Sequence, residues 1–411
     1  MPLVDPRQAT AAAPLSVRAA AARAARAGQK PFLGILDAVI VESPVEFEFD
    51  GAIAREHAAS IWTWLVRDVA PDLIDQVAVE AGTASVDALG AAMPQILARV
   101  RHAIGEATKE RLPDPRFRAQ VGGEAALARL PILLAAIKNR TLLDKAAAFG
   151  RATNGITDDA AMAMALQSMP LQDASVAALL MHAAVGQVTN PSRLLVAVIR
   201  IAGSATEAAI TRGGFGPLVD AILAHAQNQI PALLPAGAFA DIDLTCRAVD
   251  RFHRLMRAIS GYVELGRSTR WSMVVSALTK RVSELVEPKL RQVAPDVNQA
   301  LRRSRDGVDR LDSDRLLAAL SGVYLLAAIR DCRDSLALNA LFDQAWMQTG
   351  QSLELNLTRN LDALRANPAD KIATERLDAG IKMAELRFNA EYAEVLRRAM
   401  DAAGRRGASP A

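Results

Sequence analysis

Aromatic residues, cysteine and net charge are all scarce in this chain of 411 residues. Only 4% of the residues are aromatic, which disfavours a β-sandwich or β-barrel because strands favour aromatic and β-branched side chains. Two cysteines and 24 glycines exclude a disulfide-rich scaffold and a collagen-like repeat. A net charge of +3, combined with 51% apolar residues, excludes an intrinsically disordered chain.

Long apolar runs are missing as well, since none reaches the roughly 18 residues of a transmembrane helix. The first 30 residues carry alanines interrupted by arginines where a secretory signal needs a bulky apolar core, although an organelle transit peptide has a similar composition. Cys246 and Cys332 are far apart in the sequence and form no CxxC pair, which fits a reducing compartment. We therefore expect a cytoplasmic protein without a transmembrane segment.

Alanine, by contrast, is abundant, with 82 residues or about one in five. It is dense up to residue 250 and falls to 11 residues between 251 and 350, where stripes of larger apolar residues take over. Small side chains let helices approach closely. The pattern predicts an all-α protein in which short stacked helices, solenoid-like or in an irregular array, precede a bundle of longer amphipathic helices.

Composition divides the chain into four predicted zones. We expect a mobile Ala/Arg-rich arm at residues 1–30, an Ala-rich domain of short packed helices at 31–240, a bundle of long helices at 241–404 and a frayed tail at 405–411. Residues 121–240 carry few charges, so their helices are expected to be covered on several sides. No fixed repeat period holds there, so a true repeat fold is allowed without being established.

Strand-like sequence occurs in one place, where Val45–Phe49 alternates between apolar and acidic residues. At most one small β-hairpin is expected, near residues 39–49. The alternative is an extended lead-in to the following helix, with Asp50 as its N-cap. Spacing of apolar residues predicts that this helix ends before Pro71.

The apolar stripes of the second half predict further helices and their ends. The stripe that begins at Trp271 is expected to stop at Pro288, and the last stripe continues from Leu377 to Ala399. A third stripe is expected to form one buried face, made of Leu316, Leu317, Leu320, Tyr324 and Ala327.

One constellation carries side chains that can do chemistry. Cys246, Asp250 and His253 recur at i, i+4 and i+7, so they share one edge of a helix. A thiol, a carboxylate and an imidazole together can bind a metal or tune a nucleophile, although zinc needs a further ligand that the sequence does not identify. The alternative is that Asp250 pairs with Arg254 while Cys246 is buried as a small apolar residue.

A glycine-rich segment is a further candidate for ligand binding. Gly213, Gly214 and Gly216 precede a helix, and their backbone amides can hold an anion. The alternative for these glycines is a plain connector, because no strand precedes them and no lysine follows.

Candidate partner-binding residues are Trp64 and three arginines. Arg247, Arg251 and Arg254 line one face of a helix, and Trp64 is expected to point away from the core residue Trp62. Acidic residues dilute the chain's other arginine clusters and aromatic residues are not interleaved with them, so nucleic acid is the less favoured partner.

The sequence contains no GxSxG elbow, P-loop or GxGxxG fingerprint. We therefore predict no cofactor and no catalytic residue, and expect a non-enzymatic cytoplasmic scaffold that binds a protein partner or itself. Two alternatives stay open. One is a metal-binding protein or enzyme that uses the Cys246, Asp250 and His253 edge, and the other is a binder of nucleic acid or anionic membrane through arginine faces. The sequence does not identify whether a small-molecule ligand binds.

Overall fold

The computed structural model confirms the predicted all-α fold. It describes residues 36–42, 45–74, 86–108, 115–234, 241–303 and 311–405. These residues form sixteen α-helices and one two-stranded sheet. The predicted arm at residues 1–30 and residues 406–411 of the predicted tail lie outside the described residues.

The described chain divides into two compact units. The first unit contains the described residues up to Ile156 together with Ser168–Val188, and the second contains Thr157–Gln167 and all described residues from Thr189 onward. The boundary predicted from composition adjoins residues 235–240, which lie outside the described part, and it stays a prediction.

Six of the described helices belong to the first unit. They are α1 Arg55–Trp64, α2 Val86–Ala107, α3 Pro115–Val121, α4 Glu124–Lys138, α5 Arg140–Thr153 and α7 Ala174–Val185, with a 3-10 turn at Asp37–Val39. A π-helical turn, Leu65–Val69, continues α1. This segment ends before Pro71, as its apolar spacing predicts, because the residue before a proline is disfavoured in helical conformation.

The strands of the first unit are β1 Ile40–Val41 and β2 Ile53–Ala54. They pair in parallel, with Ile40 opposite Ile53, so no hairpin forms at residues 39–49 in the described part of this segment. All four strand residues are buried, and β2 contacts α1 and α4. Burial of these apolar residues favours the parallel pairing over a fold-back that brings Val45–Phe49 alongside β1. Ala54, not Asp50, is the N-cap of α1.

Helix α7 shows how the low-charge segment is covered. All nine residues from Ala177 to Val185 are buried. Gly150 of α5 lies so close to α7 that an added Cβ would overlap the backbone oxygen of Ala184. The absence of a side chain at this position is therefore what lets α5 and α7 approach each other.

Ten helices of the described chain belong to the second unit. They are α6 Asp159–Gln167, α8 Pro191–Ala202, α9 Glu207–Arg212, α10 Gly216–Gln227, α11 Ile242–Tyr262, α12 Arg270–Leu301, α13 Ser313–Ile329, α14 Asn339–Ala366, α15 Lys371–Arg387 and α16 Ala390–Arg405, with 3-10 turns at Ile230–Leu233 and Arg333–Ser335. Helix α12 packs against α13 and α14, and α15 packs against α13, α14 and α16.

The prediction that α12 stops at Pro288 is wrong, since the helix continues through Pro288 and Pro295. Both prolines are exposed, whereas Val286, Leu290 and Val293 are buried. A proline inside a helix costs about 3 kcal/mol, and the burial of an unbroken apolar face offsets that cost here.

Two other stripes were also assigned incorrectly. Leu317 and Tyr324 of α13 are 51% and 39% exposed, and the buried face of this helix is rotated from the predicted one, toward Val323. The last stripe breaks after Arg387. A new helix begins there because Asn389 Oδ1 accepts a hydrogen bond from the Tyr392 amide at 2.7 Å.

No single helix in the described ranges is long and apolar enough to cross a membrane. Helices α3 and α4 meet that description only as a pair, which is bent by 64° between them.

Candidate functional site: an arginine–aromatic cluster

The predicted Cys246, Asp250 and His253 edge of α11 is not assembled as a metal centre. Asp250 accepts two hydrogen bonds from Arg254, at 3.1 and 2.5 Å, and His253 Nδ1 is hydrogen-bonded to Ser335 Oγ at 2.9 Å. Across the ranges that the structure describes, no group of three or more His, Cys, Asp or Glu side chains is placed to hold a metal ion. The helical ion pair is therefore the arrangement that the structure shows.

Both cysteines are enclosed by the second unit. Cys246 is 8% exposed and Cys332 is 3% exposed. Burial raises the pKa of each thiol to about 12, so both are protonated at neutral pH. The thiolate is the form that attacks an electrophile or binds a metal, and these thiols instead act as small apolar residues of the core. Burial also lowers the pKa of His253.

The glycine-rich segment closes the end of α9. The Gly213 and Gly214 amides donate to the backbone oxygens of Ala209 and Thr211, at 2.9 and 3.0 Å. Gly214 has a φ of +83°, which glycine adopts without strain, and Gly216 begins α10. The amides of the first two glycines are therefore used inside the turn, which matches the connector rather than the anion site.

Two of the three arginines on the exposed face of α11 form ion pairs within the helix. Arg247 lies 3.8 Å from Asp243 and Arg254 pairs with Asp250, each one helical turn apart. Arg251 is partly buried, and this burial lowers its pKa. Exposed helical pairs contribute only about 0.3–0.5 kcal/mol each. Binding of a partner by this face stays a prediction.

The prediction that Trp64 contacts a partner is wrong, because its side chain is buried in the first unit. Trp64 is 2% exposed, and its ring packs edge-to-face against Phe117, with centroids 5.5 Å apart at 85°. Trp62 is also buried, at 4% exposure. The π-helical turn that follows α1 lies in the same core. The core therefore encloses more faces of α1 than the spacing of its apolar residues indicates.

A different group of residues forms the candidate site, and it lies wholly in the second unit. Three segments supply it, namely the end of α13 with the turn after it, the start of α14, and the junction of α15 with α16. We name it the arginine–aromatic cluster and define it as Arg330, Arg333, Phe342, Trp346, Arg387, Phe388 and Tyr392.

Trp346 is the centre of the cluster. The Cζ atoms of Arg387 and Arg330 lie 4.1 and 5.7 Å from the centroid of its ring. Phe342, one turn earlier on α14, stacks on the same ring with centroids 5.5 Å apart at 25°. A cation–π contact contributes about 0.5–1 kcal/mol when exposed and about 2 kcal/mol when desolvated. These contacts hold the indole in a defined position.

The cluster extends from Trp346 in two directions. Arg387 Cζ is also 4.9 Å from the centroid of Phe388, whose ring packs on Tyr392 with centroids 4.7 Å apart. On the other side, Arg333 Cζ lies 5.5 Å from the centroid of Phe342. Arginine and aromatic side chains therefore make a continuous set of contacts.

Arg387 fits into the cluster because Gly350 leaves room for it. A Cβ at position 350 would lie 2.8 Å from Arg387 Nη2. The Nε atom of Arg387 donates to the backbone oxygen of Trp346 at 2.7 Å. The guanidinium group is thus fixed by a hydrogen bond, by two rings and by the glycine beside it.

The surface of the cluster is partly open to solvent and is flanked by exposed apolar side chains. Trp346 is the one tryptophan of four that is not buried, since the other three are at most 4% exposed. Met347 follows it in α14 and is 53% exposed. Val395, one turn after Tyr392 in α16, is 52% exposed.

The electrostatics of Arg387 are unusual for a partly buried cation. Burial lowers its pKa, and Glu354 is the charge that opposes this shift. Within the described part of the chain, Arg387 forms no ion pair closer than the 4.0 Å limit for a salt bridge. The pKa of Tyr392 is raised mainly by burial, and to a smaller extent by the negative charge of Glu354.

Sequence reasoning missed this cluster. It placed Phe388, Tyr392 and Val395 in one stripe and did not single out Trp346 or Arg387. A usable signal was present, because two aromatic residues one helical turn apart in α14 stand out in a chain with 4% aromatics. The contact between α14 and α15 that brings the arginine to the indole is not encoded in any local pattern.

No protein-family model, curated protein or solved structure matches this chain. The functional conclusion therefore rests on the geometry of the described residues.

Proposed function

We propose that the protein is a helical scaffold that binds another protein through the arginine–aromatic cluster. The observation that carries the proposal is a partly exposed tryptophan, Trp346, which is held by the guanidinium groups of Arg387 and Arg330. Tryptophan, tyrosine and arginine supply most of the binding energy at protein interfaces, and methionine is enriched there. All four residue types meet at this surface.

Rigidity also supports a binding role. An interface residue that is already fixed loses little conformational entropy when a partner binds. Trp346 and Arg387 have stacking partners and a backbone hydrogen bond before any partner arrives. The exposed side chain of Met347 adds apolar area that a partner can cover.

The proposed occupant is a segment of another protein that combines apolar and acidic side chains. Apolar residues would cover Met347, while an acidic residue would complement Arg387, since Arg330 is already paired with Asp331 at 3.3 Å. The proposal assigns no enzymatic activity. It places the protein in the cytoplasm, supported by two buried cysteines that are both free.

Peptide selection on the purified full-length chain tests this proposal. Peptides enriched from a random phage-displayed library are measured against the wild type, Met347→Ala and Met273→Ala. Met273 is a matched control because it is 58% exposed on another long helix of the second unit. Helix α14 contacts α12 through Asn298 and Leu301, toward the other end of α12.

We expect Met347→Ala to weaken peptide binding at least about tenfold, as at an interface hot spot, and Met273→Ala to leave it within about twofold. Equal binding to all three proteins would place the peptide site elsewhere and would overturn the proposal. Enrichment of no peptide, combined with a dimer that Met347→Ala dissociates, would replace the partner protein with a second copy of this chain.

A further inference from the structure

We infer that Arg387 binds a carboxylate group of the partner segment. This inference rests on the proposed function, because it names the chemistry that the same surface recognises. Its starting observation is a guanidinium group that is partly removed from water, without an ion pair among the described residues. A buried or partly buried charge is ordinarily paired.

Two other poorly exposed arginines show the ordinary arrangement. Arg129 pairs with Glu48, and Arg55 donates to the carboxylate of Glu42 at 2.7 Å. Their side chains are 11% and 21% exposed. Arg387 differs, since its one hydrogen bond to the described protein leads from Nε to a backbone carbonyl. That carbonyl carries no full charge, and Glu354, the carboxylate that acts on Arg387, makes no ion pair with it within 4.0 Å, so a carboxylate of a partner can still pair with the guanidinium group.

The orientation of Arg387 leaves a defined edge for this counterion. Nε is used by the Trp346 carbonyl, and the ring faces of Trp346 and Phe388 hold the plane of the guanidinium group. In the described part of the chain neither Nη atom makes a hydrogen bond, and Nη2 lies beside Gly350. A pair of Nη donors matches the two oxygens of a carboxylate, and a fixed guanidinium group loses little entropy on binding it.

The surroundings favour a carboxylate over a phosphate. Glu354 is near enough to oppose the lowered pKa of Arg387, and its negative charge repels a doubly charged anion more than a singly charged one. The exposed apolar side chain of Met347 also fits a flanking residue of a peptide rather than a free inorganic ion. A carboxylate in a peptide comes either from an acidic side chain or from the C-terminus.

Short peptides and Trp346 fluorescence test the inference. The probes are N-acetyl-Gly-Asp-Gly-amide, its Asn counterpart as a neutral control, N-acetyl-Gly-Asn-Gly with a free C-terminal carboxylate, and inorganic phosphate, all at one ionic strength. The three remaining tryptophans are buried, so Trp346→Phe identifies the part of the signal that comes from the cluster. Each probe is titrated into the full-length wild type, Arg387→Gln, Arg387→Lys and Arg330→Gln.

We expect a saturable change in Trp346 emission with at least one carboxylate peptide and a much smaller one with the neutral peptide. Arg387→Gln should weaken this binding about tenfold or more, because it removes a charge-assisted hydrogen bond. Arg387→Lys should lose most of the affinity, since an ammonium group lacks the paired donors. Arg330→Gln should change the affinity less than about threefold, as expected for an exposed charge.

Preference for phosphate, binding that Arg387→Gln leaves intact, or no difference between charged and neutral peptides would each overturn the inference. The aspartyl and C-terminal probes separate the two sources of the carboxylate. The experiment can refute this inference without refuting the proposed function. Selected peptides that depend on Met347 but not on Arg387 would retain the interface and exclude the carboxylate.

Discussion

Trp64 in the first unit and Trp346 in the second unit use the same side chain in two different ways. Trp64 packs edge-to-face on Phe117 and is almost completely enclosed. Trp346 stacks on Phe342, contacts two guanidinium groups and retains a solvent-accessible surface. The neighbours of each indole, and not its sequence context, separate a core residue from a contact residue.

Glycine shows the same contrast between the two units. Gly150 brings two helix backbones together, and a side chain there would meet the main chain of Ala184. Gly350 makes room for the guanidinium end of a long side chain, that of Arg387. The first arrangement serves packing, whereas the second positions a charged group at a surface. Substitutions at matched positions can therefore separate stability from binding.

The largest predicted effect concerns the two tryptophans. Trp64→Ala should lower the free energy of unfolding by about 3–5 kcal/mol, because it empties a core site. Trp346→Ala should cost about 1–2 kcal/mol, since part of the ring is already in water. Urea unfolding followed by circular dichroism measures both values. Equal losses would remove the distinction between a core and a surface indole.

The next effect concerns Gly150. Gly150→Ala should destabilise the protein by about 1–3 kcal/mol, because the added methyl group meets backbone that cannot rotate away. Urea unfolding measures the loss, and Gly123→Ala is unsuitable as a control because Gly123 has a φ of +100°. Gly105→Ala is the suitable control, since its Cβ would meet no atom within 4 Å. A destabilisation no larger than that of the control would contradict the close approach of α5 and α7.

A smaller effect is expected from the pH dependence of the second unit's core. Folding raises the pKa of Cys246 and Cys332 to about 12, above the ordinary thiol value of 9.0. The buried thiols therefore contribute stability that is fully present below pH 9 and is lost as the pH rises toward 12. Relative to the Cys246→Ala, Cys332→Ala variant, the wild type should lose about 1–2 kcal/mol by pH 9.5, summed over the two thiols. A pH-independent difference between the two proteins would show that the thiols are accessible to water.

The smallest change in stability is expected at Gly350. Gly350→Ala gains about 1 kcal/mol of helix propensity, which offsets the displacement of the Arg387 guanidinium group, so the free energy of unfolding should change by less than about 1 kcal/mol. Affinity for the carboxylate peptides should nevertheless fall, because Arg387 no longer holds its position against Trp346. Urea unfolding and fluorescence titration of the same variant test the stability and the affinity. Unchanged affinity would show that Gly350 does not position Arg387 for binding.

Much of the fold was accessible from composition and periodicity. Scarce aromatics and abundant alanine predicted an all-α protein, and the structure confirms it. The predicted helix ends were wrong where tertiary packing outweighed a local sequence signal. Pro288 lies on the exposed side of α12, so the buried face could continue past it. Tyr392 appeared to continue a helical stripe, yet Asn389 begins a new helix just before it.

The candidate site was less predictable than the fold. The spacing of Cys246, Asp250 and His253 correctly placed them on one helix. Spacing alone does not show that the carboxylate of Asp250 accepts hydrogen bonds from Arg254. Trp64 was assigned to the surface because a helical wheel ignores the neighbouring element that covers it. Arg387 and Trp346 are 41 residues apart, so only the packing of α15 on α14 brings them together.

Site-specific photo-crosslinking in the cells of origin is the sharpest test of the arginine–aromatic cluster as a partner-binding surface. A photoreactive amino acid replaces Met347 in one protein and the matched Met273 in another, and adducts are compared after irradiation. We expect a discrete adduct with one different protein from position 347 and none from position 273. No adduct at position 347, or the same adducts at both positions, would contradict the assignment of the arginine–aromatic cluster as a partner-binding surface.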